Sequence, residues 1–143
     1  MSTLAVIPAR YASTRLPGKP LVPVAGVPLV VRVLQNVRRC RRVDTVVVAT
    51  DSSEVRQVVE AEGGLVEMTP PELTSGGDRV AWVARSRSED VVLNIQVDDP
   101  LVGPDMVDPL VAALEEDPVL DLAVLAKRIE RMEEVPDPHI VKM

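Results

Sequence analysis

Short apolar runs alternate with stretches of helical periodicity along this 143-residue chain, and few architectures accept that alternation. It is the pattern of βαβ units, which assemble into a mostly parallel sheet covered by helices. Residues 3–7, 45–49, 65–67, 91–95 and 121–127 read as strands. Between the first two, Val30, Val33, Leu34 and Val37 recur at i, i+3, i+4 and i+7 and predict a helix over about 28–39. Pro28 falls near its first turn, where a missing N–H costs nothing. A second helix has Asp51-Ser52-Ser53 as cap candidates, Val55, Val58 and Val59 on one face, and Gly63-Gly64 as its stop. A third covers roughly 77–87, with Val80, Val83 and Ala84 inward. The fourth carries Val107, Leu110, Val111 and Leu114, and Pro109 predicts a late start or a kink there. Residues 128–138 read as a loop, and 140–143 as a candidate for the beginning of another strand.

With 46% hydrophobic residues, the chain can build one continuous core, so residues 1–143 are expected to form a single domain. Aromatic residues make up 1% (Tyr11 and Trp82, with no Phe), so that core is aliphatic and no platform exists for stacking single-stranded nucleic acid. Trp82 is expected in the core or an interface. A net charge of -6 disfavours general attraction to nucleic acid or to an anionic membrane. One cysteine, Cys40, excludes an internal disulfide. Without a signal-like start or an apolar stretch near 18 residues, no membrane association is expected and the cytoplasm is the expected compartment. His139, the one histidine, excludes metal clusters built on His and Cys. Arg38-Arg39-Cys40-Arg41-Arg42 offers either a nucleic-acid patch or a surface group complementing a helix C-terminus, and the acidic total favours the second. Those four arginines would lower the Cys40 pKa if they governed it.

The densest chemical signal is Pro8-Ala9-Arg10-Tyr11-Ala12-Ser13-Thr14-Arg15-Leu16-Pro17-Gly18-Lys19-Pro20-Leu21, directly after the first strand. A parallel strand delivers this loop to the carboxyl edge of the sheet, where α/β proteins bind ligands. Arg10, Arg15 and Lys19 then supply charge-assisted donors for a polyphosphate. Gly18 permits close backbone approach to an anion. The spacing fits neither a Walker A loop nor a dinucleotide fingerprint. Asp98, just past the fourth strand, is placed either to hold Mg²⁺ beside phosphate oxygens or to close a turn. Asp51 is either a nucleotide contact or a helix cap.

The stretch Ile7 to Leu21 resembles the amino-terminal signature of the 3-deoxy-manno-octulosonate cytidylyltransferase family, the CMP-Kdo synthetases of lipopolysaccharide assembly. The likeness continues through Ala49-Thr50-Asp51, Ser75-Gly76 with Arg79, Asn94-Ile95-Gln96 with Asp98 and Pro100, and Asp137-Pro138 with Val141-Lys142. It implies a three-layer, Rossmann-like nucleotidyltransferase fold that moves CMP from CTP to the anomeric hydroxyl of Kdo, releasing pyrophosphate, with Mg²⁺. Arg10 and Lys19 would hold the phosphates, helped by Ser13 and Arg15. Pro8, Ala9, Asp51, Ser75, Gly76 and Arg79 would surround the nucleotide, Gln96 would touch the sugar, and Asp98 would be the metal ligand. Arg10, Lys19 and Asp98 are the implied catalytic set, in a homodimer or self-associating chain.

Four positions depart from the family pattern. Val97 and Asp99 stand where Gly and Glu flank the metal-binding Asp, Gly77 replaces Thr, and Pro70 replaces Arg. Val97 is expected to re-aim Asp98 or crowd the nucleotide, since a β-branched residue cannot take the φ values open to glycine. Family members also continue past this length, so the fold is expected to look truncated, with an unpaired apolar sheet edge. Two functions follow: the transferase itself, or a remnant that binds nucleotide or a partner without turnover. Another acidic sugar such as sialic acid is an alternative acceptor, and Tyr11-Ala12-Ser13-Thr14-Arg15 points to Kdo by resemblance.

Overall fold

The computed structural model describes residues 1–12 and 16–142. Four parallel strands form the sheet: β1 (Thr3–Pro8), β4 (Thr45–Thr50), β5 (Leu65–Met68) and β6 (Val91–Asn94), in the order β5-β4-β1-β6. β1 is central and buried along its whole length, so it reads as an unbroken apolar run. Its register pairs Ala5 with Val46 on one side and with Leu93 on the other. A two-stranded hairpin, β2 (Pro23–Val24) and β3 (Val27–Pro28), precedes the first helix, α1 (Leu29–Val37). Its turn residues Ala25 and Gly26 both have positive φ, as a type I′ hairpin requires. Arg32 on α1 donates to the carbonyls of Val24 and Ala25 and fixes the hairpin to the helix.

Alternation along the strands assigns the two faces. Ala5, Ile7 and Val48 point to the side covered by α1, α2 (Ser53–Ala61) and α4 (Pro104–Glu116), meeting Val33, Val37, Val55, Val59, Val107 and Val111. Leu4, Val6, Val47 and Ala49 point to the other side and meet Val80 and Val83 of α3 (Gly76–Ala84). The three-layer, mostly parallel architecture expected from the sequence is therefore present.

Some elements differ from expectation. Residues 121–127 form no strand: Leu122 is 76% exposed, and the segment runs beside the outer edge of β6 without laddering to it. β-Propensity reflects packing on a half-buried pleated surface, and no layer covers these side chains. Residues 140–142 also form no strand, and Val141 is 90% exposed, while Met143 lies outside the described residues. α4 begins at Pro104 and runs through Pro109, so the late start does not occur; Val107 and Val111, both buried, anchor the helix on either side of the proline. Trp82 lies on the open side of α3, 41% exposed.

The arginine cluster works within the fold. Arg38 donates to the carbonyls of Glu62 and Gly63 and thus serves the C-terminal end of α2 as well as following α1. The backbone N–H groups of Arg41 and Arg42 donate to Asp108, and the Arg42 guanidinium pairs with Glu115, both on α4. The Cys40 thiol is not activated by its neighbours: burial and Asp108 outweigh Arg39 and push its pKa up to about 11.

Candidate active site

Every parallel strand ends at the same edge, and the cleft lies there. Pro8 closes β1, Asp51 follows β4, the 69–75 loop leads from β5 to α3, and Gln96, Val97 and Asp98 follow β6. Arg10, Lys19, Ser75, Gly76, Gln96 and Asp98 line one cleft of ≈ 220 Å³. These residues come from four separate stretches of sequence, and the sheet alone brings them together.

Lys19 is presented by a short 3₁₀ turn, Lys19–Leu21, entered through Gly18 at φ 73°. That left-handed conformation is open to glycine at little cost, and the Gly18 N–H donates to the Tyr11 carbonyl, folding the loop back on itself. From this turn Lys19 Nζ reaches Asp98 Oδ2 at 2.7 Å. The two side chains remain 34% and 52% exposed at the cleft. The hydrogen bond from Lys19 holds the Asp98 carboxyl below its ordinary range, so Asp98 is anionic at neutral pH.

Arg10 donates to the Thr74 carbonyl at 3.2 Å across the cleft mouth. Ser75 caps α3 through a capping box: its Oγ accepts from the Asp78 N–H, and its own N–H donates to Asp78 Oδ2. Gly76 begins that helix against β1, where an added Cβ would lie 3.2 Å from Pro8 Cγ and 3.5 Å from Gln96 Oε1. A side chain there would press on Pro8 and require it to give by a few tenths of an ångström. The N-terminal turn of α3 then offers unpaired N–H groups and the positive end of its dipole to an anion in the cleft.

The other described residues of the predicted set make contacts of their own within the protein. Ala9 is buried, its N–H donating to Ala49 and its carbonyl accepting from Thr50 Oγ1, so its part is to shape the loop. Asp51 is not the cap of α2, since Ser52 Oγ accepts from the Val55 N–H. Asp51 instead accepts from the Tyr11 N–H and from Arg79. Arg79 is 1% exposed at the cleft wall; its two terminal nitrogens donate to protein groups, while its buried Nε has no partner among the described residues. Gln96 Nε2 donates to Asn94 Oδ1. Ser13 and Arg15 lie outside the described residues.

The four positions that depart from the family pattern have distinct surroundings. Ala25 is the only non-glycine residue at positive φ among the described residues, so Val97 sits in ordinary backbone geometry. It packs against the core while lining the cleft. Asp99 Oδ1 accepts from the Leu101 N–H and closes a turn. The Pro70 carbonyl accepts from Arg79. A Cβ added at Gly77 would meet nothing closer than Ser75 Oγ at 3.7 Å, so the backbone there has room for a Cβ.

A cytidylyltransferase family model matches residues 4–143. The chain belongs to the cytidylyltransferase family. Among its relatives is the 3-deoxy-manno-octulosonate cytidylyltransferase of Geobacter sulfurreducens, 42% identical over 143 residues, with all of this chain and 57% of that protein aligned. The protein of the same name from Rhodopseudomonas palustris is 44% identical, with 99% of this chain and 58% of that protein aligned. Among solved structures, CMP:2-keto-3-deoxy-manno-octonic acid synthetase complexed with CTP superposes with a TM-score of 0.81 at 39% identity, covering 84% of this chain and 50% of that one. A nucleotidyl transferase from Methanothermobacter thermautotroptrophicus, at 21% identity and TM-score 0.67 over 78% of this chain and 57% of that one, shares the fold. This cytidylyltransferase-family chain thus spans little more than half the length of the relatives it matches.

Sequence reasoning missed one residue of the cleft, Thr74, and one buried behind it, Thr69. The Thr74 carbonyl that receives Arg10 carries no side-chain signal. Thr69, which accepts from Arg79, became visible only once β5 and α3 were in place.

Proposed function

We propose that this chain binds CTP in the cleft between Arg10, Lys19, Asp98 and the start of α3, and transfers CMP to Kdo with release of pyrophosphate. The observation that carries the proposal is the convergence of two cationic side chains, a helix N-terminus and one anionic carboxylate at the carboxyl edge of the sheet. A polyphosphate meets complementary charge on three sides of such a cleft, and the names of the relatives supply the base and the sugar.

Asp98 fits a Mg²⁺ ion arriving with the nucleotide. Its carboxylate is anionic, half exposed and turned toward a cation already, and Mg²⁺ typically takes one or two carboxylates, with substrate phosphates and waters completing the shell. Among the described residues no group of three or more His, Cys, Asp or Glu could hold a metal. Bound there, Mg²⁺ would supply neutralisation of phosphate charge.

In the transfer, Arg10 and Lys19 would hold the β- and γ-phosphates and stabilise charge collecting on the leaving pyrophosphate. Lys19 has to leave Asp98 to do so. The N–H groups at the start of α3 would orient the phosphate chain, and Gln96 would position the sugar so that its anomeric hydroxyl lies in line with the α-phosphorus. No helix among the described residues is long and apolar enough to cross a membrane, and the reading places the chain in the cytoplasm with its nucleotide substrate. The unpaired edge of β6 and the apolar groove beside it support self-association.

The test is pyrophosphate release by the 143-residue chain with CTP, Mg²⁺ and Kdo, beside D98A. Turnover that disappears in D98A is the expected result. CTP binding by the folded chain without pyrophosphate release would overturn the transfer reading and assign nucleotide binding alone.

A further inference from the structure

We infer that Arg79 is a positioning residue that holds Arg10 in place from two directions, and this rests on the reading of Arg10 as a phosphate ligand. Arg79 is nearly sealed from solvent, and Asp51 is 11% exposed. The two form an ion pair at 3.0 Å. The placement matters because of what else each partner touches.

One path runs through Asp51. Its Oδ2 accepts from Arg79, and its Oδ1 accepts from the backbone N–H of Tyr11 at 3.3 Å, the residue next to Arg10. The second path runs through the loop between β5 and α3. Arg79 donates to Thr69 Oγ1 and to the carbonyls of Pro70 and Leu73, and the next carbonyl, that of Thr74, accepts from the Arg10 guanidinium. Arg10 is thereby held at its backbone through Asp51 and at its side chain through the loop, and one buried guanidinium organises both. A rigid fork of donors can serve a carboxylate, a hydroxyl and two carbonyls at once; a lysine ammonium is a point donor on a flexible stem. With its terminal donors committed to protein groups, Arg79 acts on the nucleotide through Arg10.

Removing the guanidinium outright leaves Asp51 buried without its cation, so R79A reports mainly on folding. R79K keeps the charge and loses the fork. Two readouts are taken on the folded chain. In ¹⁵N relaxation, the order parameters of Arg10 and Tyr11 are expected to fall from about 0.85 in wild type to below about 0.6 in R79K, with Val6 and Val48 unchanged as fold controls. In calorimetry, R79K is expected to weaken CTP roughly tenfold, to leave cytidine unaffected, and to add nothing further in an R10A background.

Arg10 and Tyr11 as ordered in folded R79K as in wild type would overturn the inference. So would a full additional loss of CTP affinity in the R10A background, which would make Arg79 a contact in its own right. Failure of wild type to bind CTP would refute the functional reading alone, since the relaxation comparison needs no ligand and still decides whether Arg79 holds this loop.

Discussion

Replacing Asp98 by Asn should separate the structural from the functional worth of the Lys19–Asp98 pair, because the two differ in size and even in sign. At the observed 2.7 Å, Coulomb's law in bulk water gives about 1.5 kcal/mol. Salt screening and the entropy of holding two long side chains reduce exposed pairs to about 0.2–1 kcal/mol. With one partner a third exposed and the other half exposed, the lower figures apply. D98N and K19M should each lower Tm by no more than about 4 °C, and a double-mutant cycle on stability should return a coupling below about 1 kcal/mol. Binding should respond differently. Without Mg²⁺, D98N removes both the competitor for Lys19 and a negative charge facing the phosphates, so CTP should bind a few-fold more tightly. With Mg²⁺, the same change removes the carboxylate that would hold the ion, and a lost charge-assisted contact of about 1.5–3 kcal/mol corresponds to roughly 10- to 150-fold weaker binding. K19M should weaken CTP in both conditions. Isothermal titration with and without Mg²⁺, beside thermal unfolding, reads all of these. Equal weakening of CTP by D98N in the two conditions would refute the assignment of Asp98 to the metal, and a fall in Tm beyond about 10 °C would show that the pair is chiefly structural.

Two further predictions concern the scaffold. An added Cβ at Gly64 would lie 2.4 Å from Val59 Cγ1, 2.9 Å from the Val59 carbonyl oxygen and 3.0 Å from Leu34 Cδ2; G64A should therefore cost about 1–3 kcal/mol in urea unfolding, and a wild-type midpoint would contradict the packing described between α1 and α2. Because burial raises the Cys40 pKa to about 11, its thiolate is scarce at pH 8, and iodoacetamide should modify the folded chain roughly a hundredfold more slowly than the urea-unfolded one; similar rates would show that Cys40 is accessible and activated.

The layers were legible because apolar periodicity is a direct record of burial. Val30, Val33, Leu34 and Val37 reach the core as their spacing requires, and Leu4, Ala5, Val6 and Ile7 of β1 are all buried. Local chemistry was less decisive. Asp51 and Ser52 are both good caps on residue type, and the choice between them was made by Arg79, distant in sequence and adjacent in space. The basic loop was visible as a cluster of cations, yet Lys19 meets Asp98 only because β1 and β6 are neighbours, a pairing that periodicity does not encode. Residues 121–127 failed in the opposite way. Their side chains favour a strand, but a strand also needs a partner and a covered face, and neither is given to them here.

That uncovered segment has a consequence for how long the molecule would survive among proteases. Cleavage requires a stretch of backbone that can be drawn into an enzyme's active site, and residues held in ladders or helices must first open. From the end of α4 to residue 142 the chain has one short 3₁₀ turn and no strand, so it can be cut without prior unfolding of the sheet. The cleft is lined by residues of the 8–19 stretch, the 74–79 stretch and residues 96–98, all N-terminal to that segment. A nick there would shorten the protein and leave every residue that lines the cleft in place, so the segment sets a rate of degradation separate from the opening of the sheet.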